Sequence, residues 1–204
     1  MNPTDEVVGG VVVGDDGLAR CPWASRDPLL MAYHDDEWGR PVRDERGLFE
    51  RVVLEGFQAG LSWRTILAKR PAFREAFAHF DPDTVAAFTD ERLDSLMADK
   101  GIVRNRAKIR AARANAAAVI ALRDRGGLEQ LVWSHRPAPA EPRTSAEVPT
   151  SSPESLALTN AFKRAGISFI GPTSAFALME AIGMVNTHLV ACHRRTTTEV
   201  GWSG

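Results

Sequence analysis

An all-α fold is predicted by three observations on this 204-residue sequence. Apolar residues recur at intervals of three and four in several segments, which is the period of a helix face. Capping residues stand immediately before those segments, twice followed by proline, as at a helix start. No run alternates apolar and polar residues in the manner of a half-buried strand, so no sheet is expected.

Residues 1–17 contain Gly, Val, Asp and little else in any sustained period, and are expected to form a flexible extension. Helical character begins at Asp44, a capping residue, with Leu48, Phe49, Val52, Val53 and Phe57 on one face; Gly56 and Gly60 are expected to break it. Ser62 caps a short helix over 63–69, which Pro71 should end. Asp81-Pro82 opens a helix reaching Phe88, and Asp90 is expected to cap the next, which carries Leu93, Leu96 and Met97. The alanine-rich segment 105–123 is the longest helix expected, because alanine has the highest intrinsic propensity. Five prolines between 137 and 153 mark a loop. Ser152-Pro153 then starts a helix that Gly166 stops, and 172–183 and 184–193 are expected as two final helices.

Composition excludes several classes. Hydrophobic content of 44 % and charged content of 25 % are those of a globular chain, of a size for one core or two interlocked subdomains. No apolar run is long enough to cross a bilayer, so no membrane partner is expected. The formal net charge of -1 carries no global signal for a polyanion, so any nucleic-acid surface must be local.

The only two cysteines, Cys21 and Cys192, lie near opposite ends of the chain, each with a histidine nearby: His34 and His188. Two thiolates and two imidazoles form the donor set that tetrahedral Zn2+ prefers. His188 and Cys192 are four apart and would share a face if helical. A disulfide is the competing reading. The N-terminus has no basic start and no continuous apolar run of a secretory signal, so a cytoplasmic chain is expected, which favours a metal or two free buried thiols over a bridge.

Two further clusters carry chemistry. Lys100, Gly101, Arg104, Asn105 and Arg106, with Lys108, lie in and after a tight connection between two expected helices. Backbone N–H groups and basic side chains there suit a phosphate, or else form a solvated basic face. Glu55 falls three residues after Val52 on a largely apolar face, a costly place for a carboxylate unless it is hydrogen-bonded. With Trp23, Tyr33, Trp38 and Trp63 it can edge a stacking pocket for a planar ring; the competing reading is that the rings fill a core and Glu55 faces water.

The runs Cys21-Pro22-Trp23, Tyr33-His34-Asp35-Asp36-Glu37-Trp38-Gly39 and 54–63 (LEGFQAGLSW), with Gly101-Ile102-Val103-Arg104-Asn105-Arg106 and Gly183-Met184-Val185-Asn186 followed by His188 and Cys192, resemble the 3-methyladenine DNA glycosylase I family. The resemblance implies an all-helical helix-hairpin-helix glycosylase fold, arranged as a single domain over 18–193 with a tail at 194–204. It implies one structural Zn2+ on Cys21, His34, His188 and Cys192 that joins the terminal segments. It implies a base pocket at Glu55, Tyr33, Trp38 and Trp63, with Trp23 nearby, a hairpin at 100–105, and Leu61 as the side chain that plugs the gap left by an extruded nucleotide. The activity implied is monofunctional hydrolysis of N3-methyladenine from double-stranded alkylated DNA, by a monomer in the bacterial cytoplasm, associated with the nucleoid. No lysine matches a Schiff-base role. The sequence departs from the pattern at Phe57, where glutamine is expected, and at Leu30, where a tyrosine lines the pocket of similar proteins. Leu30 keeps a broader range of alkylated purines as an alternative; a non-catalytic zinc-containing DNA-binding module is another.

Overall fold

The computed structural model describes residues 7–196. The described chain divides into two compact units, one built from 7–41, 137–150 and 179–196 and the other from 42–136 and 151–178. The two ends of the described chain therefore belong to the same unit.

The second unit is helical. Helix α2 (Glu45–Gln58) starts where Asp44 accepts from the Gly47 N–H at 2.8 Å, and it buries Leu48, Phe49, Val52, Val53, Leu54 and Phe57. It runs through Gly56, contrary to expectation, because the buried face continues on both sides. The helix ends at Gln58 and the chain turns away at Gly60, whose φ of +86° suits glycine. Helix α3 (Trp63–Ala76), capped by Ser62, also passes through its expected end at Pro71. An interior proline costs roughly 3 kcal/mol. Phe73 and Ala76 beyond it are buried, and Phe73 packs edge-on to Phe57 at 4.8 Å and stacks on Phe77 at 6.0 Å. Each such phenyl burial contributes about 1.5–3 kcal/mol, which offsets the missing bond.

Three successive non-glycine residues, Ala78, His79 and Phe80, then adopt φ of +50°, +52° and +58°. This left-handed turn places Phe80 in the core beside Phe77 at 5.9 Å. Helix α4 (Pro82–Ala86) is capped by Asp81 and stops two residues short of Phe88. Helix α5 (Asp90–Ala98) is capped by Thr89 and not by Asp90, which instead pairs with Arg113 at 2.9 Å. Helix α6 (Arg106–Leu122) begins at the Asn105 cap and buries Ile109, Ala112, Asn115, Ala116 and Val119; α4 and α5 pack against it. A short α7 (Gly127–Trp133) follows, then α8 (Pro153–Ala165), which opens with a reciprocal Ser152/Ser155 capping box and ends at Gly166 with φ +86°. Helix α9 (Pro172–Ala181) buries Ala175, Phe176, Leu178, Met179 and Ala181.

The first unit departs most from expectation. Residues 7–20 form a three-stranded antiparallel sheet, β1 (Val7–Val8), β2 (Val11–Val13) and β3 (Ala19–Arg20), where no strand was expected and where 1–17 reads as an extension. Val8 pairs with Val11 across Gly9 and Gly10, both at positive φ, a two-residue hairpin that only such residues make easily. Helix α1 (Pro28–Asp36) starts at Asp27, whose carboxylate accepts from the N–H groups of Leu29 and Leu30. Residues 184–193 are a second correction: they form turns, not a helix. The Asn186 side chain accepts from the His188 N–H at 3.2 Å, and the Arg195 guanidinium donates to the carbonyls of Asn186, His188 and Ala140, so side chains take the backbone groups a helix would need. Arg195, expected in a tail, is thus a buried brace. The remainder of the expected extension and tail, 1–6 and 197–204, lies outside the described residues. No helix among the described residues is long and apolar enough to cross a membrane.

Candidate functional site

Cys21 follows β3, His34 sits near the end of α1, and His188 and Cys192 lie in the turns after α9. All four are buried, and their donor atoms lie within 4.8 Å of one another. His34 Nε2 is 3.2 Å from His188 Nδ1 and 3.4 Å from Cys192 Sγ. His188 Nδ1 is 3.6 Å from Cys192 Sγ and 4.0 Å from Cys21 Sγ. A tetrahedral ion with bonds of 2.0–2.3 Å has ligand–ligand edges of about 3.3–3.8 Å. The donors are placed to hold one metal ion, with every position of a tetrahedron filled by protein. Both cysteines are free thiols, so the disulfide reading is excluded.

The surroundings prepare the donors. His34 Nδ1 donates to Asp35 Oδ1 at 2.7 Å, which leaves the Nε2 lone pair directed at the other ligands. Burial opposes ionisation of Asp35, but hydrogen bonds from Arg20 and His34 outweigh it and hold the carboxyl below its ordinary range. Arg20 donates to Asp35 at 2.7 and 2.9 Å and is itself anchored by Asp16 at 2.7 Å. The Cys21–Cys192 interaction holds the Cys192 thiol far down, with His188 and His34 assisting, and the same interaction together with burial pushes Cys21 up. Burial lowers the His188 imidazolium below its ordinary range, favouring the neutral ring that binds metal. Val11, Leu189 and the two cysteines form a small apolar cluster with Ala19 and Val148 against it, so the unexpected sheet shields the donors.

The aromatic residues of this unit gather beside the same centre. Trp38 stacks on His34 at 6.0 Å and meets the His188 ring edge-on at 4.5 Å. Trp23 lies edge-on to Trp38 at 5.0 Å and 6.4 Å from Tyr33. Tyr33 and Trp38 are buried, whereas Trp23 is 39 % exposed, and Leu30 is half-buried on the same helix as Tyr33.

In the helical unit, Glu55 is buried near the end of α2, which removes the wet-side reading of that residue. Leu61 is exposed between Gly60 and the Ser62 cap; its N–H donates to the Gln58 carbonyl at 2.7 Å and its carbonyl accepts from Gln58 Nε2 at 3.1 Å. Trp63, half-buried, is the first residue of α3. Residues 99–105 join α5 to α6, with Lys100, Arg104, Asn105 and Arg106 exposed. Arg106 pairs with Asp94, and Asp99 accepts from the Gly101 N–H at 2.7 Å. A Cβ at Gly101 would lie 2.8 Å from Ala72, so glycine is required there.

Sequence reasoning missed two braces. Lys69 Nζ donates to the carbonyls of Lys100 and Gly101 at 2.8 and 3.1 Å, and Lys108 Nζ to those of Ala59 and Phe57 at 2.8 and 3.1 Å. Desolvation lowers the Lys108 ammonium below its ordinary range. Asp35 was missed as well, although it directly follows a ligand within the quoted motif.

A model of the methyladenine glycosylase family matches residues 23–195. DNA-3-methyladenine glycosylase 1 of Escherichia coli K12 is 45 % identical over 179 residues, covering 86 % of this chain and 96 % of that protein. DNA-3-methyladenine glycosylase of Haemophilus influenzae is 41 % identical over 182 residues, covering 87 % and 98 %. Among solved structures, a crystal structure of 3-methyladenine DNA glycosylase I superposes with a TM-score of 0.82 at 44 % identity, covering 85 % of this chain and 98 % of that one. The Staphylococcus aureus enzyme, studied for 3-methyladenine recognition, does so with a TM-score of 0.82 at 33 % identity, covering 86 % and 96 %. On this near-complete likeness, the chain belongs to the methyladenine glycosylase family.

Proposed function

We propose that this chain is a DNA-3-methyladenine glycosylase, a hydrolase that cleaves the N-glycosidic bond of N3-methyladenine in alkylated DNA. The observation that carries the reading is the 45 % identity to the Escherichia coli enzyme of that name along nearly its whole length. N3-methylation places a positive charge on the nucleoside, so the base leaves as a neutral group and needs little acid assistance. What remains for the protein is to extrude the nucleotide, hold the planar base, and favour the cationic sugar while water attacks.

Glu55 is assigned the hydrogen bonds to the base edge, and its negative charge favours the developing cation. Its burial supports this, since a carboxylate on an apolar helix face is costly without a purpose. Tyr33, Trp38 and Trp63, with Trp23, supply rings for stacking. Leu61, exposed on a braced turn, is assigned to fill the space the extruded nucleotide leaves. Residues 100–105 are read as the hairpin of a helix-hairpin-helix element, with Lys100, Gly101, Arg104, Asn105 and Arg106 meeting the phosphate backbone. No lysine is assigned a Schiff base, so strand cleavage is not part of the reaction.

The metal is read as Zn2+, one per chain, on Cys21, His34, His188 and Cys192. When bound it supplies structure and no reaction chemistry, because protein fills its four positions. The protein is read as a monomer acting on double-stranded DNA in the bacterial cytoplasm at the nucleoid, its domain widened from the expected 18–193 to include the sheet from Val7 and the brace Arg195. Leu30, half-buried on α1 and three residues before Tyr33, favours one second reading: tolerance of bulkier alkylated purines.

Incubation with methylated duplex DNA, followed by chromatography of the released bases, tests the function. Free 3-methyladenine is expected. Binding of abasic duplex without any base release would identify a non-catalytic module, and equal release of N7-alkylated guanine would support the broader specificity.

A further inference from the structure

The segment joining α8 to α9 contains a bulky residue that burial alone does not explain. Ile167 and Ile170 are buried, but Phe169 between them is 45 % exposed. Its φ is +64°, a backbone state that aromatic residues rarely adopt and that persists only where the surroundings impose it. The imposing group is Asn115, a buried amide in the otherwise alanine-rich middle of α6. Its Nδ2 donates to the Ser168 carbonyl at 3.1 Å, and its Oδ1 accepts from the Ser168 N–H at 2.9 Å. A two-bond clamp thus fixes the residue before Phe169 and turns the ring outward.

The place it is turned toward is informative. The Phe169 Cβ lies 3.6 Å from the position a Cβ would take on Gly56, in the α2 turn that also carries Glu55 and leads to Gly60 and Leu61. Gly56, Lys108, Asn115, Ser168 and Phe169 line one shallow recess. Lys108, whose ammonium braces the carbonyls of Phe57 and Ala59, lines the same recess as Phe169. An exposed aromatic side chain sharing a recess with a lysine is a pairing with which proteins hold unstacked bases and their phosphates.

We propose that Phe169 is a second DNA-contacting side chain, whose ring stacks on a nucleobase flanking the extruded nucleotide while Lys108 faces the adjacent phosphate. This rests on the glycosylase reading. It assigns the strain a purpose: Asn115 and the left-handed backbone hold the ring out before DNA arrives, so no ordering is required on binding.

The test uses a fluorescein-labelled duplex carrying a tetrahydrofuran abasic analogue, read by anisotropy, with Phe169→Gly, Phe169→Asn and Phe169→Trp beside the wild type. Glycine and asparagine both accept a positive φ, so neither should lower the thermal midpoint. Loss of one base–aromatic stack should weaken binding roughly tenfold in both, with tryptophan restoring it to within about threefold. Stability maintained or raised while DNA affinity falls is a signature that a merely structural Phe169 does not produce. Affinity in the glycine and asparagine variants within about twofold of wild type would overturn the proposal. A wild type that neither binds this duplex nor releases 3-methyladenine would instead overturn the glycosylase reading, and this proposal with it.

Discussion

His34 donates from Nδ1 to Asp35 at 2.7 Å, and its opposite nitrogen Nε2 faces Cys192 Sγ at 3.4 Å. One carboxylate therefore sets the tautomer and aim of a candidate metal ligand, and Arg20 favours the ionised form of that carboxylate. Replacing an outer partner of this kind typically costs 10–100-fold in metal affinity. Asp35→Asn is expected to weaken metal binding by about that factor in competition with a chromophoric chelator, with the Cys2His2 set intact. Unchanged affinity would remove Asp35 from that role.

Metal removal should unfold the first unit before it impairs any residual chemistry. The four donors come from the residue after β3, from α1 and from the turns after α9, so a bound metal cross-links three separate segments and its binding free energy contributes to folding. His188→Ala, or prolonged treatment with a strong chelator, is expected to lower the thermal midpoint markedly, while turnover per folded molecule changes little. A variant that keeps its midpoint but loses turnover would make the metal part of the reaction.

The left-handed turn at 78–80 stores backbone strain at residues with a Cβ. Ala78→Gly relieves it at one position and is expected to stabilise the fold by about 1 kcal/mol, measured by urea unfolding. Ala78→Val, branched at the same backbone state, should destabilise it. Equal stability for both would contradict the turn.

Glu180 gives stability a pH dependence. Burial raises its carboxyl, the 2.6 Å hydrogen bond from Thr187 opposes this, and the result is a pKa raised from 4.5 to about 7. Because the folded value lies above the unfolded one, the contribution is fully present below pH 4.5 and is lost as pH rises through 7. The loss is about 3 kcal/mol. Glu180→Gln is expected to flatten that part of the stability profile between pH 5 and 8; an unchanged profile would assign the dependence elsewhere.

Much of the helical unit was legible because its signals are local. Asp44, Ser62, Asp81, Asn105 and Ser152 cap helices through their own side chains, and Gly166 ends one at positive φ. The errors arose where distant contacts override local preference. Pro71 sits inside α3 because Phe73 and Phe77 must reach the phenyl cluster, and residues 184–193 are not helical because Asn186 and Arg195 bind their backbone. The hairpin at Gly9-Gly10 was readable as paired glycines between valines, but its strands are too short to show alternation. The metal donors were legible as residue types and their meeting was not, since it depends on α1 and on turns with no period. Phe169 was invisible: nothing in Ser168-Phe169-Ile170 announces a left-handed residue held by Asn115 from another helix.

Base release from methylated duplex DNA by the wild type and by Glu55→Gln, with circular dichroism and bound metal measured on the same samples, decides the function. Free 3-methyladenine is expected from the wild type and at least about tenfold slower release from the variant, at equal folding and metal content. Equal release by the two proteins would remove Glu55 from base recognition, and no 3-methyladenine from a folded, metal-loaded wild type would contradict the function itself.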